Sequence, residues 1–464
     1  MIAPFRGYVY NQNAVADHGG LLVAPPYDVL THERREAFYD SHPHNFLHVD
    51  LGRVLASDPD ELAWHDRSAA LLREWLASGV LRRREKSGFY LMETEWDHPL
   101  TGQRVTRRGF IGLTLLEEPS REASIRLHEQ TFSFHKMERL HLMKKTQAQL
   151  SPIFAFFPDP DQLFLKTIGY YASRGPDMTI RDPSGQLHKT TFLENSQETA
   201  RLAEALAGTT IYVADGHHRY MTALNYRNEE RARLRALGKE PPAGSALDYV
   251  MTYLCPMSDP GLCVLPTHRI LRKSALSNEE ILQRISPWAE VRVLSFGEGG
   301  ERNALDNLAK KLLEDKKKGL TVFGLLLRGA DFCGFLKIRE KAKEALAEAA
   351  PEKASLSLLD VSILTNVILK EALGVTEELM DDPDCISYVS EARGAARQVA
   401  DGERAAFILN PTSLAEILKV TEAGYVMPRK ATYFYPKVSN GLVINLLDPL
   451  ETAARPGATG PGGG

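Results

Sequence analysis

The sequence predicts an α+β fold in which mixed sheets and amphipathic helices follow one another in irregular order. Three observations lead there. Short runs rich in aromatic and β-branched residues, such as GFYLMETEW, RRGFIGLTLLEE and LTVFGLLLRG, read as strands. Longer stretches, such as ASDPDELAWHDRSAALLREWLASG and LDVSILTNVILKEALG, carry apolar residues at helical spacing. The length, 464 residues, fits two or three domains, each large enough to bury a core. Composition and pattern divide the chain into an N-terminal segment (1–85), a core (86–272), an α+β unit (273–350), a C-terminal segment (351–450) and a tail (451–464). The tail, ARPGATGPGGG at its end, has too little apolar surface to order itself. No internal repeat of solenoid period is present.

Taken in order, LLVAPPYDVL reads as an apolar strand that stops at Pro25 and Pro26, with Tyr27 and Asp28 beside the turn. The first long helix follows, with Ser57 or Asp58 as its cap and Gly79 at its end. GFYLMETEW and RRGFIGLTLLEE then pair as a hairpin or sheet. HEQTFSFHKMERLHLMKKTQAQLSPIFAFF begins as a loop, turns helical and ends in a buried strand at Ile153 to Phe157. TTIYVAD is a strand, and helix formers run from Gly216 to Leu237. LDYVMTYLCPMSDPGLCVLPTHRIL reads as two buried strands joined by a turn at Asp259 to Gly261. LTVFGLLLRG and FCGFLKIRE are strands of the 273–350 unit.

Lys and Arg number 56 against 60 Asp and Glu, a net charge of -4, so no global basic field draws the chain to nucleic acid or an anionic membrane. Any anion site must be local. The opening residues, MIAPFRGYVYNQNAV, lack a charged segment followed by an apolar run, and no stretch approaches the roughly 20 apolar residues of a membrane span. Cys255, Cys263, Cys333 and Cys385 show no CxxC spacing, which predicts free thiols in a reducing, cytoplasmic setting. The many histidines have no HExxH spacing and no neighbouring cysteine, so oxygen-bound Mg²⁺ is expected ahead of zinc.

The most informative stretch is VADGHHRYMTAL, where a glycine, two histidines and an arginine sit at a strand-to-helix junction. The first N–H groups of a helix favour an anion, and Gly216 lets a phosphate come close to the backbone. Arg219 can fork onto phosphate oxygens, while His217 and His218 can donate hydrogen bonds or move protons near neutral pH. Asp215 at the strand end can hold a histidine, a metal-bound water or an amine. Together these residues describe a compact phosphate site.

VADGHHRYMTAL resembles the phosphate-binding G-x-H-R type of motif in the ParB/sulfiredoxin superfamily, whose members include partition proteins, sulfiredoxins and free-serine kinases. More closely, APPYDVL, HEQT, AQLSPIFAFF, ADGHHRYMTAL, GLCVLPTHRIL and MPRKATYFYPK, in that order, resemble a widespread bacterial family described as a conserved domain of unknown function. Some of its members are understood as pyrophosphate-dependent L-serine kinases. The resemblance runs from Pro4 to about Leu447. It departs at Ala431, where the family usually has serine. What it implies is a ParB/sulfiredoxin-like phosphate-binding core with additional α/β elements, and transfer of phosphate from pyrophosphate to L-serine. A nucleotide (ATP or ADP) as donor, or a nucleotide-dependent DNA-binding protein, are the other readings.

Phosphoryl transfer needs a cradle, charge neutralisation and a proton acceptor. The resemblance puts the cradle at Gly216, His217, His218, Arg219 and Tyr220. Lys136, Arg139, Lys430 and Lys437, with Mg²⁺, are the candidates for neutralising the transferring group. Asp28, Glu129 and Asp215 are the candidate acceptors, each next to a turn, and analogy with the superfamily's serine kinases favours Asp28. Tyr27, His128, Thr131, Thr267, His268 and Arg269 are candidates for orienting the substrate. A shared site requires Asp28, Glu129 and Arg219 within about 15 Å of one another, given hydrogen bonds near 3 Å.

Overall fold

The computed structural model describes residues 2–129, 133–296, 300–428 and 430–453, leaving out the side chains at 28, 133–136 and 381. Two compact units form. The first comprises Met1–Leu127, Thr131–Leu262 and Pro436–Gly464, the second His128–Gln130 and Cys263–Tyr435. The second is thus an insertion in the sequence of the first. The expected segment limits at 85, 272 and 350 fall within these units, and the 451–464 tail lies outside the described residues from 454 onward.

Among the described residues, nine strands make the main sheet of the first unit: β1 (Ile2–Ala3), β2 (Phe89–Asp97), β3 (Arg104–Leu115), β4 (Ile125–Arg126), β5 (Ile153–Phe157), β6 (Met178–Arg181), β7 (Leu187–Leu193), β8 (Ile211–Asp215) and β9 (Tyr249–Pro256). Their order is β4-β8-β5-β9-β3-β2-β7-β6, with β1 on β3. GFYLMETEW and RRGFIGLTLLEE form the expected antiparallel pair, from Tyr90 opposite Ile111 to Asp97 opposite Arg104. The sheet is mixed, because β5 runs parallel to β9 and antiparallel to β8. All five residues of β5 are buried, which explains its unbroken apolar run.

Four helices of this unit bear on the site: α1 (Gln12–Leu22), α2 (Ala63–Ala77), α3 (Ser133–Thr146) and α4 (His217–Ala236). Helix α4 buries Tyr220, Ala223 and Leu224 at the i, i+3, i+4 spacing of a helix face. These meet Ile153, Phe157, Val213 and Leu254 from the sheet in one apolar cluster. Burying each large side chain contributes about 1.5–3 kcal/mol.

Two expectations for the N-terminal segment are corrected. LLVAPPYDVL is not a strand: Leu21 and Leu22 finish α1, whose start is capped by Asn11 accepting from Ala14 N at 2.8 Å. Ala24 makes only an isolated bridge to Asn440, and proline, lacking an N–H, ends pairing at once. Helix α2 starts after Leu62 with no side-chain cap; Asp58 instead accepts from Leu55 N at 2.8 Å and pairs with Arg67. Gly79, at φ 75, does end the helix as expected.

In the second unit the described residues form a six-stranded sheet. Its strands are β10 (His268–Leu271), β11 (Ala289–Ser295), β12 (Val322–Leu327), β13 (Phe332–Ile338), β14 (Ile386–Val389) and β15 (Ala405–Ile408), in the order β11-β13-β12-β15-β10-β14. Leu305, Leu308 and Leu312 of α5 (Gly300–Lys317) and Ala395 and Val399 of α6 (Ala392–Ala400) join Leu326, Phe335 and Ile408 in its core. LDVSILTNVILKEALG is helical as its spacing predicts, with a π-helical second part at Leu364–Ala372. All four cysteines are free, and among the described residues no helix is long and apolar enough to cross a membrane.

The turn at Asp259 to Gly261 is present, yet the strands it joins do not pair: β9 belongs to the first unit, and the chain after Leu262 to the second. Asp259 is buried, and its Oδ1 accepts from Gly261 N at 2.8 Å. Burial pushes the carboxyl up to about 6, against the opposing pull of the backbone N–H groups of Arg108 and Gly261 and of the Arg108 and Arg107 charges. An acid whose folded value lies above its unfolded one destabilises the fold as pH rises between the two. Asp259→Asn is therefore expected to match wild type near pH 4 and to exceed it by about 3 kcal/mol above pH 6, measured by urea unfolding across that range.

Candidate active site

Strand β8 reaches the junction through a bulge. Val213 stands opposite Ala155 but Asp215 opposite Phe154, so Ala214 is the extra residue and the strand end is re-aimed. Gly216 follows at φ 88, ψ 26, a left-handed conformation open to glycine at little cost. A Cβ at that position would also lie 3.0 Å from Arg219 Nε and 3.1 Å from Ile153 Cγ2. Helix α4 then begins without a side-chain cap and with no acidic residue in its first turn.

Asp215 is the hub of the junction. Its Oδ2 accepts from Arg219 Nη2 at 2.7 Å and its Oδ1 from Lys437 Nζ. Arg219 Nη1 also donates to the Pro152 carbonyl. The three side chains are 17%, 11% and 11% exposed, so two cations share one carboxylate out of bulk water. Burial alone would raise the Asp215 pKa; the adjacent Lys437 and Arg219 outweigh it and hold the carboxyl well below the usual carboxylate range. Asp215 is accordingly a poor proton acceptor, and its expected catalytic role becomes that of an anchor. One net positive charge remains at the helix start.

The other cradle residues separate by burial. His217 is buried and His218 half-buried. Tyr220, expected on the phosphate, is instead 1% exposed, with its hydroxyl donating to Glu117 O at 2.7 Å and accepting from Glu117 N at 3.0 Å. Arg139 is likewise committed elsewhere. Its guanidinium donates to Asp50 O at 2.7 Å and Asp50 Oδ1 at 2.5 Å, and lies 4.6 Å from the centre of the Tyr27 ring. Asn440 Nδ2 donates to the remaining Asp50 oxygen at 2.7 Å. Arg139 and Arg219 do line one cavity, but at about 30 Å³ it holds a water rather than a diphosphate.

Tyr27 thus steadies Arg139 and starts the short 3₁₀ turn Tyr27–Val29 that carries Asp28. The side chains of Asp28 and Lys136 lie outside the described set, and Thr131 lies outside the described residues altogether. Of the three candidate acceptors, Asp28 and Asp215 belong to the first unit and Glu129 to the second.

In the second unit, Glu129 Oε1 accepts from the backbone N of Lys430, whose φ of 55 is left-handed, at 3.3 Å. The Lys430 side chain is exposed. His128 is buried, with Nε2 3.2 Å from Thr432 Oγ1 and its carbonyl accepting from Met427 N at 2.7 Å. His268 is also buried; its Nδ1 accepts from Leu409 N at 3.1 Å, and burial followed by the Arg269 charge lowers its pKa to about 3. Buried and neutral, it ties two strand ends together. Arg269 donates to Thr267 O and lies 5.2 Å from the Tyr388 ring; Thr267 and Arg269 are both buried.

Several residues of the site escaped sequence reasoning. Arg107 is 1% exposed, lies 4.8 Å from the Phe154 ring and 5.0 Å from that of Tyr253, and donates to the carbonyl of Pro436, the residue before Lys437. Ser439 Oγ lies 3.2 Å from His188 Nε2, and Asn440 pairs with Ala24 through both backbone groups. The segment 436–440 is therefore a strap from the Asp215 turn to the Asp50–Arg139 pair. Lys437 and Asn440 are at most about 11 Å apart along the chain. The basic-aromatic stretch pointed to the strap; nothing in RVTRRGF told Arg107 from its charged neighbours.

Asp215→Asn is expected to leave Arg219 and Lys437 without a counter-charge and to cost about 3 kcal/mol at pH 7. Because the native carboxyl titrates below its unfolded value, this gap should be full above about pH 4 and narrow as pH falls below it, in denaturant melts at each pH. Arg139→Ala, which strands the buried Asp50 carboxylate, should cost about 3–5 kcal/mol, whereas Arg139→Met with Asp50→Asn should recover much of that loss in a double-mutant cycle.

No curated protein matches the chain in sequence. Among solved structures, a free serine kinase mutant in complex with ADP is 13% identical, with a TM-score of 0.29, covering 69% of this chain and 90% of its own. A conserved hypothetical protein from Pyrococcus furiosus is 14% identical at TM-score 0.31, covering 72% and 98%. C-terminally truncated SbnI from Staphylococcus aureus is 12% identical at TM-score 0.32, covering 71% and 85%. Likeness at this level carries no statement about chemistry. The model of the protein family of unknown function DUF1015 matches residues 2–362, and the chain belongs to that family.

Proposed function

We propose that the protein is a small-molecule kinase that transfers a phosphoryl group from pyrophosphate to the hydroxyl of free L-serine. The observation that carries the phosphate part is the β8–α4 junction: a left-handed glycine, an uncapped helix start, and Arg219 and Lys437 fixed by Asp215 beside it. The choice of serine and pyrophosphate rests on the resemblance of the six ordered motifs. The ParB/sulfiredoxin-like character of the core and a cytoplasmic setting, in keeping with four free cysteines, belong to the same proposal.

In this reading the phosphate of the donor lies against the first turn of α4, where the N–H groups and Arg219 take its oxygens. Asp215 holds Arg219 and Lys437 in place before the donor arrives, so little reorganisation accompanies the reaction. Serine Oγ attacks the near phosphorus, its proton passes to Asp28, the P–O bond to the second phosphate breaks, and inorganic phosphate leaves. His218, half-buried at the helix start, donates to the same oxygens. Mg²⁺ is proposed as part of the substrate, magnesium pyrophosphate. Both oxygens of Asp215 are taken by cations, so Asp215 is not free to hold the ion itself.

The decisive assay offers Mg²⁺ and L-serine with pyrophosphate, ATP or ADP and measures O-phosphoserine. Product from pyrophosphate is expected; product from no donor, with the protein folded, would sink the reading. Arg219→Ala should lower turnover at least about 100-fold, the size of a lost transition-state donor. Asp28→Asn should reduce kcat more than it weakens donor binding.

A further inference from the structure

A second cluster of cations belongs to the other unit, which contributes none of the residues used in the proposed transfer. In the six-stranded sheet, β12, β15 and β10 lie side by side. Ala405 pairs with Leu327 on one flank and Leu271 on the other. The chain therefore leaves β12 at Arg328, enters β15 from Arg404 and leaves β10 at Arg272, all at one end of the sheet. Backbone bonds from Arg404 N to Leu271 O (3.0 Å) and from Arg328 N to Arg404 O (3.2 Å) extend the ladder and fix the three arginines as neighbours. With Lys273 and Ser274 they line an open cavity of about 420 Å³.

The charges in this cavity are not balanced. Arg404 is 5% exposed, yet its guanidinium meets only neutral acceptors: Leu276 O at 2.8 and 2.7 Å and Asn278 Oδ1 at 2.6 Å. Arg328 donates to Gly402 O at 3.0 Å. Among the described residues neither has a carboxylate partner, and nor does Lys273. Arg272 alone is paired, with Glu403 at 2.9 Å and Asp384 at 3.4 Å. Burying a guanidinium without a counter-charge is costly. Burial, and then the like charge of Arg328, hold Arg404 below the ordinary arginine value, a tension that an anion in the cavity would relieve. A merely solvated basic face would leave all its cations in water, whereas here one is sunk beneath the others.

We propose that this end of the sheet is a second anion-binding site, which takes a ligand carrying a di- or triphosphate group. The cavity volume falls in the roughly 300–1,000 Å³ range of small-ligand pockets, more than one phosphate requires. Lys273 and Arg328, both exposed, meet the ligand first, and Arg404 supplies the fixed charge behind them.

The test is hydrogen exchange by mass spectrometry on the full chain with inorganic phosphate, pyrophosphate or ATP, compared with the double variant Lys273→Ala/Arg328→Ala. Slower exchange over 271–276 and 402–405 is expected with pyrophosphate or ATP, at an affinity at least about tenfold lower in the variant. Protection by both assigns the site to the diphosphate group, and protection by ATP alone to a nucleotide. No protection of these segments by any of the three, or protection undiminished in a variant that melts like wild type, overturns the site. The readout is local to the second unit, so it stands or falls independently of serine phosphorylation.

Discussion

The candidate site depends on one carboxylate. Asp215 sits where a strand ends, a glycine turns left-handed and a helix begins, and it holds a cation on each of its two oxygens. Without it, Arg219 and Lys437 would repel one another and the helix dipole alike. With it, the two cations are fixed and the site keeps a surplus of one positive charge. The stability of the junction and its affinity for anions therefore come from the same ion pairs, and any change that loosens one alters the other.

The strap 436–440 extends that constraint across the first unit. Arg107 holds the carbonyl before Lys437, Lys437 holds Asp215, and Asn440 completes the shell of Asp50 around Arg139. Tyr27, over the same guanidinium, sets the turn that carries Asp28. A chain of buried polar contacts thus connects the proposed phosphate turn to the proposed proton acceptor, with each link satisfied by a partner from a distant part of the sequence. Buried polar groups so arranged specify position more than they add stability.

Much of the framework was legible in the sequence because it rests on local signals. The hairpin of β2 and β3, the fully apolar β5, and the β8–Gly216–α4 junction all follow from periodicity and punctuation. What sequence could not show was how charges are paired. Tyr220 read as a ligand of phosphate because it lies in ADGHHRY, and Arg139 because it belongs to the basic stretch FHKMERLHL, yet Glu117 and Asp50 claim them, and neither partner is near in sequence. LLVAPPYDVL misled for a different reason: its apolar run closes a helix capped by Asn11, and a short apolar stretch before proline looks the same from either side. His268 had the polarity of a binding residue and the burial of a core one, a distinction only packing makes.

The strap also orders events during synthesis. Lys437 is separated from its partner Asp215 by 222 residues, among them the whole of 263–435. At about 5–20 residues per second, a ribosome exposes Asp215 and Arg219 roughly 10–45 s before the residue that completes their triad exists. During that interval the junction carries one ion pair instead of two, and the sheet can assemble while its anion site is still unfinished. Completion of the site is in this way a late report that the inserted unit has been made.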